Sequence, residues 1–289
     1  VVPLVLFGSA TTSVRSFSAP AMAAFRSRYF WRLGALAFLL FVVCTILTMT
    51  FSGVLSSAIF GEAGRASMML ALLLLLAADA TTDYALAWLR AAARMGRGGV
   101  ALVLGGAVRY AAIFVLTGSG TVPLIVWLGQ YAGIQLSLAL LVLFSAAVAV
   151  IRSSETPEVP GGPSLRALLR FSAPLVLLAA LVSANGFLDR FLLVQLLDLK
   201  AVAIYSAAAS LCAIPAVFHG VLGFTLFPVL SAQWQEGRLS EASRLMSVAL
   251  RVFMFLCIPA ALLLALAGPQ ILPLLTTTAY KQGSAVFFF

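Results

Sequence analysis

Long apolar runs separated by short polar breaks set the pattern of this chain. LGALAFLLFVVCTILTMTFSGVL and SMMLALLLLLAADATTDYALAWL are typical, and runs like them recur to its end. An α-helix crosses a bilayer's hydrocarbon core with about 20 consecutive apolar residues. Runs of that order lie at 33–55, 67–89, 99–116, 122–151, 171–197, 202–230 and 249–267, so seven complete transmembrane helices are expected. The shorter run at 1–10 reads as the tail of a helix begun upstream, and another apolar run opens at the C-terminal end. The expected fold is therefore an all-α polytopic membrane protein with partial spans at both ends. Turn-forming residues support the borders: Gly61 and Gly64, Gly96 and Gly99, Gly118 and Gly120 with Pro123, and Pro157, Pro160 and Pro163.

Composition leaves no room for a soluble domain beside these spans. Apolar residues make up 63% of the 289 and charged residues 9%, against about 45–50% and 25% in ordinary soluble domains. The formal charge of +9 does not point to nucleic acid, because the arginines are spread among the breaks. Arg15, Arg26, Arg28 and Arg32 precede the first full span; Arg90, Arg94 and Arg97 follow two breaks later, then Arg152, Arg166 and Arg170, then Arg238, Arg244 and Arg251. The alternate breaks hold only Arg65, Lys200 and Lys281, the first two near Glu62 and Asp198. By the positive-inside rule the arginine-rich breaks are cytoplasmic.

The longest break, RSSETPEVPGGPSLR, has the prolines, glycines and charges of a linker. It predicts an N-terminal bundle at 1–151, a cytoplasmic linker at 152–165 and a C-terminal bundle at 166–289. A second cytoplasmic segment, 234–253, places Leu239, Ala242, Leu245, Met246, Ala249, Leu250 and Phe253 on one helical face, with Ser240 as a candidate N-cap. Two readings are open: a helix lying along the inner interface, or a plain extension of the following span into the cytosol.

Charges inside a membrane are costly, about 2.5–3.5 kcal/mol each on insertion scales, and merit a functional hypothesis. Asp79 and Asp83 stand four residues apart and so project from one helix face. Like charges so placed repel in a low dielectric; the pair calls for a proton, a cation or an arginine between them, and Arg109 in the next span is the natural partner. Asp189 and Arg190 are adjacent, so they leave their helix roughly 100° apart and cannot share one partner. They fall near the outer end of their span, where snorkelling is the plain alternative to a site. His219 follows Pro215 by four residues; it can relay protons or satisfy the carbonyl that Pro215 leaves without a donor. Gln130 and Gln135 read as polar glue between helices.

Cys44, Cys212 and Cys257 lie inside apolar runs and act as small hydrophobes; no disulfide, metal site or cofactor is expected. No Walker loop, dinucleotide fingerprint or nucleophile elbow occurs in the chain. Motifs for soluble chemistry are thus absent, and the glycine-rich stretches sit at span ends, where turn duty explains them.

The second half also carries a resemblance. It holds F-x-x-P from Phe171 to Pro174, the Asp189–Arg190 pair, A-x-x-x-Y-S-x-A from Ala201 to Ala208, F-P-V-L-S from Phe227 to Ser231, and C-I-P-A from Cys257 to Ala260. I-L-P-L-L from Ile271 to Leu275 and then Tyr280 complete the series. In that order and spacing these resemble the polysaccharide (O-antigen type) flippases of the multidrug/oligosaccharidyl-lipid/polysaccharide exporter superfamily. The N-terminal half is similar only in span lengths, loop charges and an arginine-rich end between Trp88 and Arg97.

The resemblance implies two six-helix bundles around a cavity that opens alternately to each side, this chain running from the end of the second span to the start of the tenth. It implies flipping of an undecaprenyl-pyrophosphate-linked oligosaccharide across the bacterial cytoplasmic membrane, with glycan polymerases or glycosyltransferases as candidate associates and no nucleic-acid partner. An anionic pyrophosphate calls for cations, which makes Arg109, Arg190 and Arg15 the substrate-binding candidates. The acids Asp79, Asp83 and Asp189, with His219, are candidates for coupling to H⁺ or Na⁺. A cation-coupled drug exporter of the same fold is the main alternative, since it would use the same carboxylates on cationic substrates. A membrane-embedded glycan polymerase or ligase fits less well, because the outer breaks are only a few residues long. A structural subunit without transport is the remaining possibility.

Overall fold

The computed structural model describes residues 2–60, 66–118, 123–153, 163–197 and 199–276. Glu62, Arg65, Asp198, Tyr280, Lys281 and most of the linker, at 154–162, lie outside them. Every regular element among the described residues is helical: α1 (Val2–Leu6), α2 (Ser9–Phe17), a 3₁₀ turn (Pro20–Phe25), α3 (Arg26–Thr50), α4 (Ser52–Phe60), α5 (Ala66–Ala91), α6 (Met95–Gly118), α7 (Leu124–Ser153), α8 (Leu165–Leu196), α9 (Leu199–Cys212), α10 (Ile214–Gln235) and α11 (Leu239–Leu275). Among the described residues, six apolar stretches are long enough to cross a membrane: Pro20–Thr50, Met68–Ala91, Met95–Leu116, Leu124–Ser153, Leu165–Leu196 and Leu239–Leu275. Large apolar side chains along them stand uncovered, with Phe114 81%, Phe144 71% and Leu266 78% exposed. Water would penalise such surfaces heavily, whereas lipid would not. The protein is an all-α, multi-pass membrane protein.

Several borders differ from the sequence reading, each for a local reason. The first apolar run does not end at residue 10. Phe7 and Gly8 take positive φ, 46° and 63°, and the chain resumes as α2 up to Phe17. Arg26, read from sequence as one of a cytoplasmic cluster, is 6% exposed and caps α2: its Nε donates to Phe17 O at 2.9 Å, and its Nη2 to Ser18 O and Ala19 O at 3.5 and 3.4 Å. A cation is well placed against the orphan carbonyls of a helix C-terminus.

The run at 202–230 is two helices, α9 and α10, separated at Ala213, with Pro215 in the first turn of α10. Proline has no amide to give to the preceding turn but suits a helix start. Of the two readings of 234–253, the extension holds: α11 runs unbroken from Leu239 to Leu275, about 55 Å at 1.5 Å per residue. Ala242 and Ala249 are buried, but Leu239, Met246 and Leu250 are exposed.

Packing divides the chain into two compact units, Val1–Ala180 and Leu181–Phe289. In the first, α5 packs along α7 more extensively than any other pair. An aromatic cluster joins α2, α3 and α5: the Trp88 ring lies 5.4 Å from Phe17 and 5.6 Å from Phe30, with Tyr84 beside it at 6.3 Å. The Tyr84 hydroxyl donates to Phe30 O. Gly34 lets α3 come this close, since a Cβ there would stand 3.2 Å from that hydroxyl. The start of α8 is tied to the same unit by Thr12 Oγ1 and Ser172 Oγ at 2.6 Å and by the Tyr29 hydroxyl donating to Pro163 O. In the second unit α11 packs on α9 and α10, burying Leu272 against Ala208 with Ala207 and Leu211 alongside.

Candidate functional site

Three helices of the first unit bring polar groups together within the apolar layer. Asp79 and Asp83 come from the middle of α5, Arg109 from α6 and Gln135 from α7. Arg109 Nη2 stands 3.8 Å from Asp79 Oδ1. On its other side Arg109 Nε donates to Gln135 Oε1 at 2.7 Å. The inter-helix pairing of Arg109 with the α5 carboxylates, expected from their spacing, is therefore present for Asp79.

These groups border a cavity of about 270 Å³ lined by Asp79, Thr82, Asp83, Gly105, Gly106 and Arg109, together with apolar residues of α1, α5, α6 and α7. The i, i+4 spacing puts both aspartates on the cavity face of α5, and Thr82 joins them with its hydroxyl donating to Ala78 O at 2.8 Å. A Cβ added at Gly105 or Gly106 would meet nothing within 4 Å, so these glycines leave that wall of α6 open. The cavity thus offers two carboxylates and one guanidinium, with the guanidinium held between an acid and an amide.

The other sequence candidates are not brought to this cavity. Arg15 is exposed on α2, with its guanidinium carbon 3.8 Å from the centre of the Phe171 ring, a cation–π contact. Asp189 and Arg190, near the C-terminal end of α8, each take a partner of their own on α9: the Tyr205 hydroxyl donates to Asp189 Oδ2 at 3.0 Å, and Arg190 Nε donates to Ser206 Oγ at 3.3 Å. Arg190 Nη1 also donates to Gly186 O at 3.1 Å. His219 lies on α10, but its side chain is outside the described set. Pro215 O, four residues earlier, accepts from Cys257 Sγ at 3.6 Å. Among the described residues no group of three or more His, Cys, Asp or Glu side chains could hold a metal ion.

Two features of the site are only partly legible in the sequence. Gln135 does join helices, as its reading as polar glue expects, and the partner that the sequence does not name is Arg109 of the cavity. Its signal was an amide in a seam otherwise made of small apolar residues. Gly105 and Gly106 carried no functional reading, although a glycine pair inside an otherwise apolar span was visible.

No curated protein and no solved structure matches the chain. A family model described as "Polysaccharide biosynthesis protein" matches residues 36–285. That match takes in α5, α6 and α7 with the whole polar cluster and most of the second unit, and by it the chain belongs to the polysaccharide biosynthesis protein family of membrane proteins.

Proposed function

We propose that this protein is a flippase that moves a lipid-linked oligosaccharide, of the undecaprenyl-pyrophosphate type, from the inner to the outer leaflet of a bacterial cytoplasmic membrane. The observation that carries the reading is Arg109: a guanidinium within a membrane-length apolar helix, open to a cavity, in a chain whose family serves polysaccharide biosynthesis. A buried cation is expensive to place in a bilayer, and Arg is suited to bidentate recognition of phosphate oxygens. Asp79 pairs with Arg109 when no substrate is present and gives way to the pyrophosphate. Two carboxylates against one guanidinium leave the empty cavity without excess positive charge. Uptake of H⁺ or Na⁺ by Asp79 and Asp83 then accompanies substrate entry, and alternation between the two bundles delivers the lipid head across. No bond is made or broken, and a glycan polymerase or glycosyltransferase is the natural neighbour.

The test has two parts. Cells lacking the protein should accumulate lipid-linked repeat units on the cytoplasmic face, and the purified protein in vesicles should flip a polyprenyl-pyrophosphate glycan. Normal export of every surface glycan in such cells would sink the proposal. The excess of carboxylates favours a second reading, a cation-coupled drug exporter, for which loss of the protein raises drug sensitivity and leaves glycans intact.

A further inference from the structure

The buried face of α7 consists of Ala132, Gln135, Ala139, Ala146, Ala149 and Val150. One amide interrupts this seam, and only 3% of it is exposed. Its two ends behave differently. Oε1 accepts the short 2.7 Å bond from Arg109 Nε, whereas Nε2 is buried and has no hydrogen-bond partner among the described residues. The tie to Asp79, at 3.8 Å, is longer than a hydrogen bond. The firm hold on Arg109 is therefore from α7, and it is on Nε.

Which nitrogen is held matters, because a guanidinium is a rigid planar fork of five donors. Fixing Nε on a packed helix sets the plane and leaves both Nη groups to face other partners. We infer that Gln135 is the positioning residue for Arg109: it anchors Nε so that the Nη groups meet pyrophosphate oxygens as a fork, displacing Asp79. This rests on the flippase reading. The anchor is neutral, which preserves the positive charge of Arg109 for the ligand; a carboxylate in its place would consume it.

The test uses the full chain in nanodiscs with farnesyl pyrophosphate as the probe, and three variants: Gln135→Met, which keeps side-chain length but removes the acceptor, Gln135→Glu, and Arg109→Gln. Loss of one hydrogen bond to a charged group weakens an interaction by about tenfold or more. Gln135→Met should therefore raise the probe's Kd by about tenfold, and raise KM for flipping more than it lowers kcat. Gln135→Glu should weaken binding further at high pH and recover as pH falls and the new carboxyl takes up a proton, a profile that a packing defect would not produce. Arginine side-chain NMR supplies a readout independent of substrate: Arg109 Nε–H, assigned by its absence in Arg109→Gln, should exchange slowly in the natural protein and quickly in Gln135→Met. Unchanged affinity and unchanged Nε–H protection in Gln135→Met would overturn the inference while leaving the flippase reading standing. Slow Nε–H exchange in a protein that binds no pyrophosphate probe would overturn the flippase reading and leave only the anchoring of Arg109. If Gln135→Met does not fold, the pH profile of Gln135→Glu decides: a flat one overturns the inference.

Discussion

At the residue scale, the charge of Arg109 is opposed by Asp79 and its geometry is held by Gln135, so variants separate the two effects. Asp79→Asn removes the carboxylate that competes for the guanidinium and should tighten binding of a pyrophosphate probe several-fold, on the order of the exchange of one partly exposed ion pair. A drug exporter that needs Asp79 would instead lose transport of cationic substrates in the same variant, so a single pair of assays distinguishes the readings. Arg109→Lys keeps the charge but cannot form the fork, and should bind the probe about tenfold or more weakly. Arg26 shows the same chemistry used structurally. Arg26→Ala would strand the carbonyl of Phe17 and those of Ser18 and Ala19, costing about 1–3 kcal/mol of stability, measurable as a lowered unfolding temperature in detergent with probe binding unchanged.

At the element scale, two helices end by the same device with different residues. After α10, Gly237 at φ 74° sits in a Schellman motif, with Arg238 N donating to Gln233 O at 2.9 Å and Gly237 N to Trp234 O at 3.2 Å. After α5, Arg94 N donates to Leu89 O at 2.8 Å and Ala93 N to Arg90 O at 3.0 Å, but the left-handed residue is Ala93 at φ 56°. An alanine there carries a penalty of roughly 1–2 kcal/mol that glycine escapes. Ala93→Gly should therefore stabilise the protein, and Gly237→Ala destabilise it, each by about 1 kcal/mol; equilibrium unfolding in mixed detergent would show the opposite signs. Ala93 also illustrates what a sequence hides. The run of apolar residues at 67–89 announces α5 itself, but its turn signals, Gly96 and Gly99, lie well past the end of the helix at Ala91, because alanine is no turn signal; the capping hydrogen bonds, not the residue type, place it. Pro215 was visible as a break only once the register of the preceding turn was known. The hold of Gln135 on Arg109 needed the facing of α6 and α7, which the weak periodicity of nearly all-apolar helices does not fix. By contrast, the carboxylate pair on α5 and its pairing with Arg109 were legible, because charges in a greasy run are few and their spacing decides which can meet.

At the scale of the whole molecule, dividing the 202–230 run into α9 and α10 tests the orientation derived from the arginines. If each were a separate crossing, the break carrying Arg238 would fall on the outer side, against the positive-inside rule. Length decides otherwise. The 14 residues of α9 rise about 21 Å, short of the roughly 30 Å hydrocarbon core, whereas the 22 of α10 rise about 33 Å. By length we expect α10 and not α9 to cross, which keeps the alternation from Arg90 to Arg251. This fixes an accessibility pattern for single cysteines placed in a background lacking Cys44, Cys212 and Cys257. Arg94→Cys, Ser153→Cys and Glu236→Cys should be shielded from a membrane-impermeant maleimide added outside intact cells and react after permeabilisation, whereas Lys200→Cys should react from outside. Labelling of Glu236→Cys from outside would mean that α9 crosses as well as α10, or that neither does. α11 would then be inverted, whereas Asp189 and Arg190, on α8 ahead of α9, would keep the side that Lys200→Cys reports.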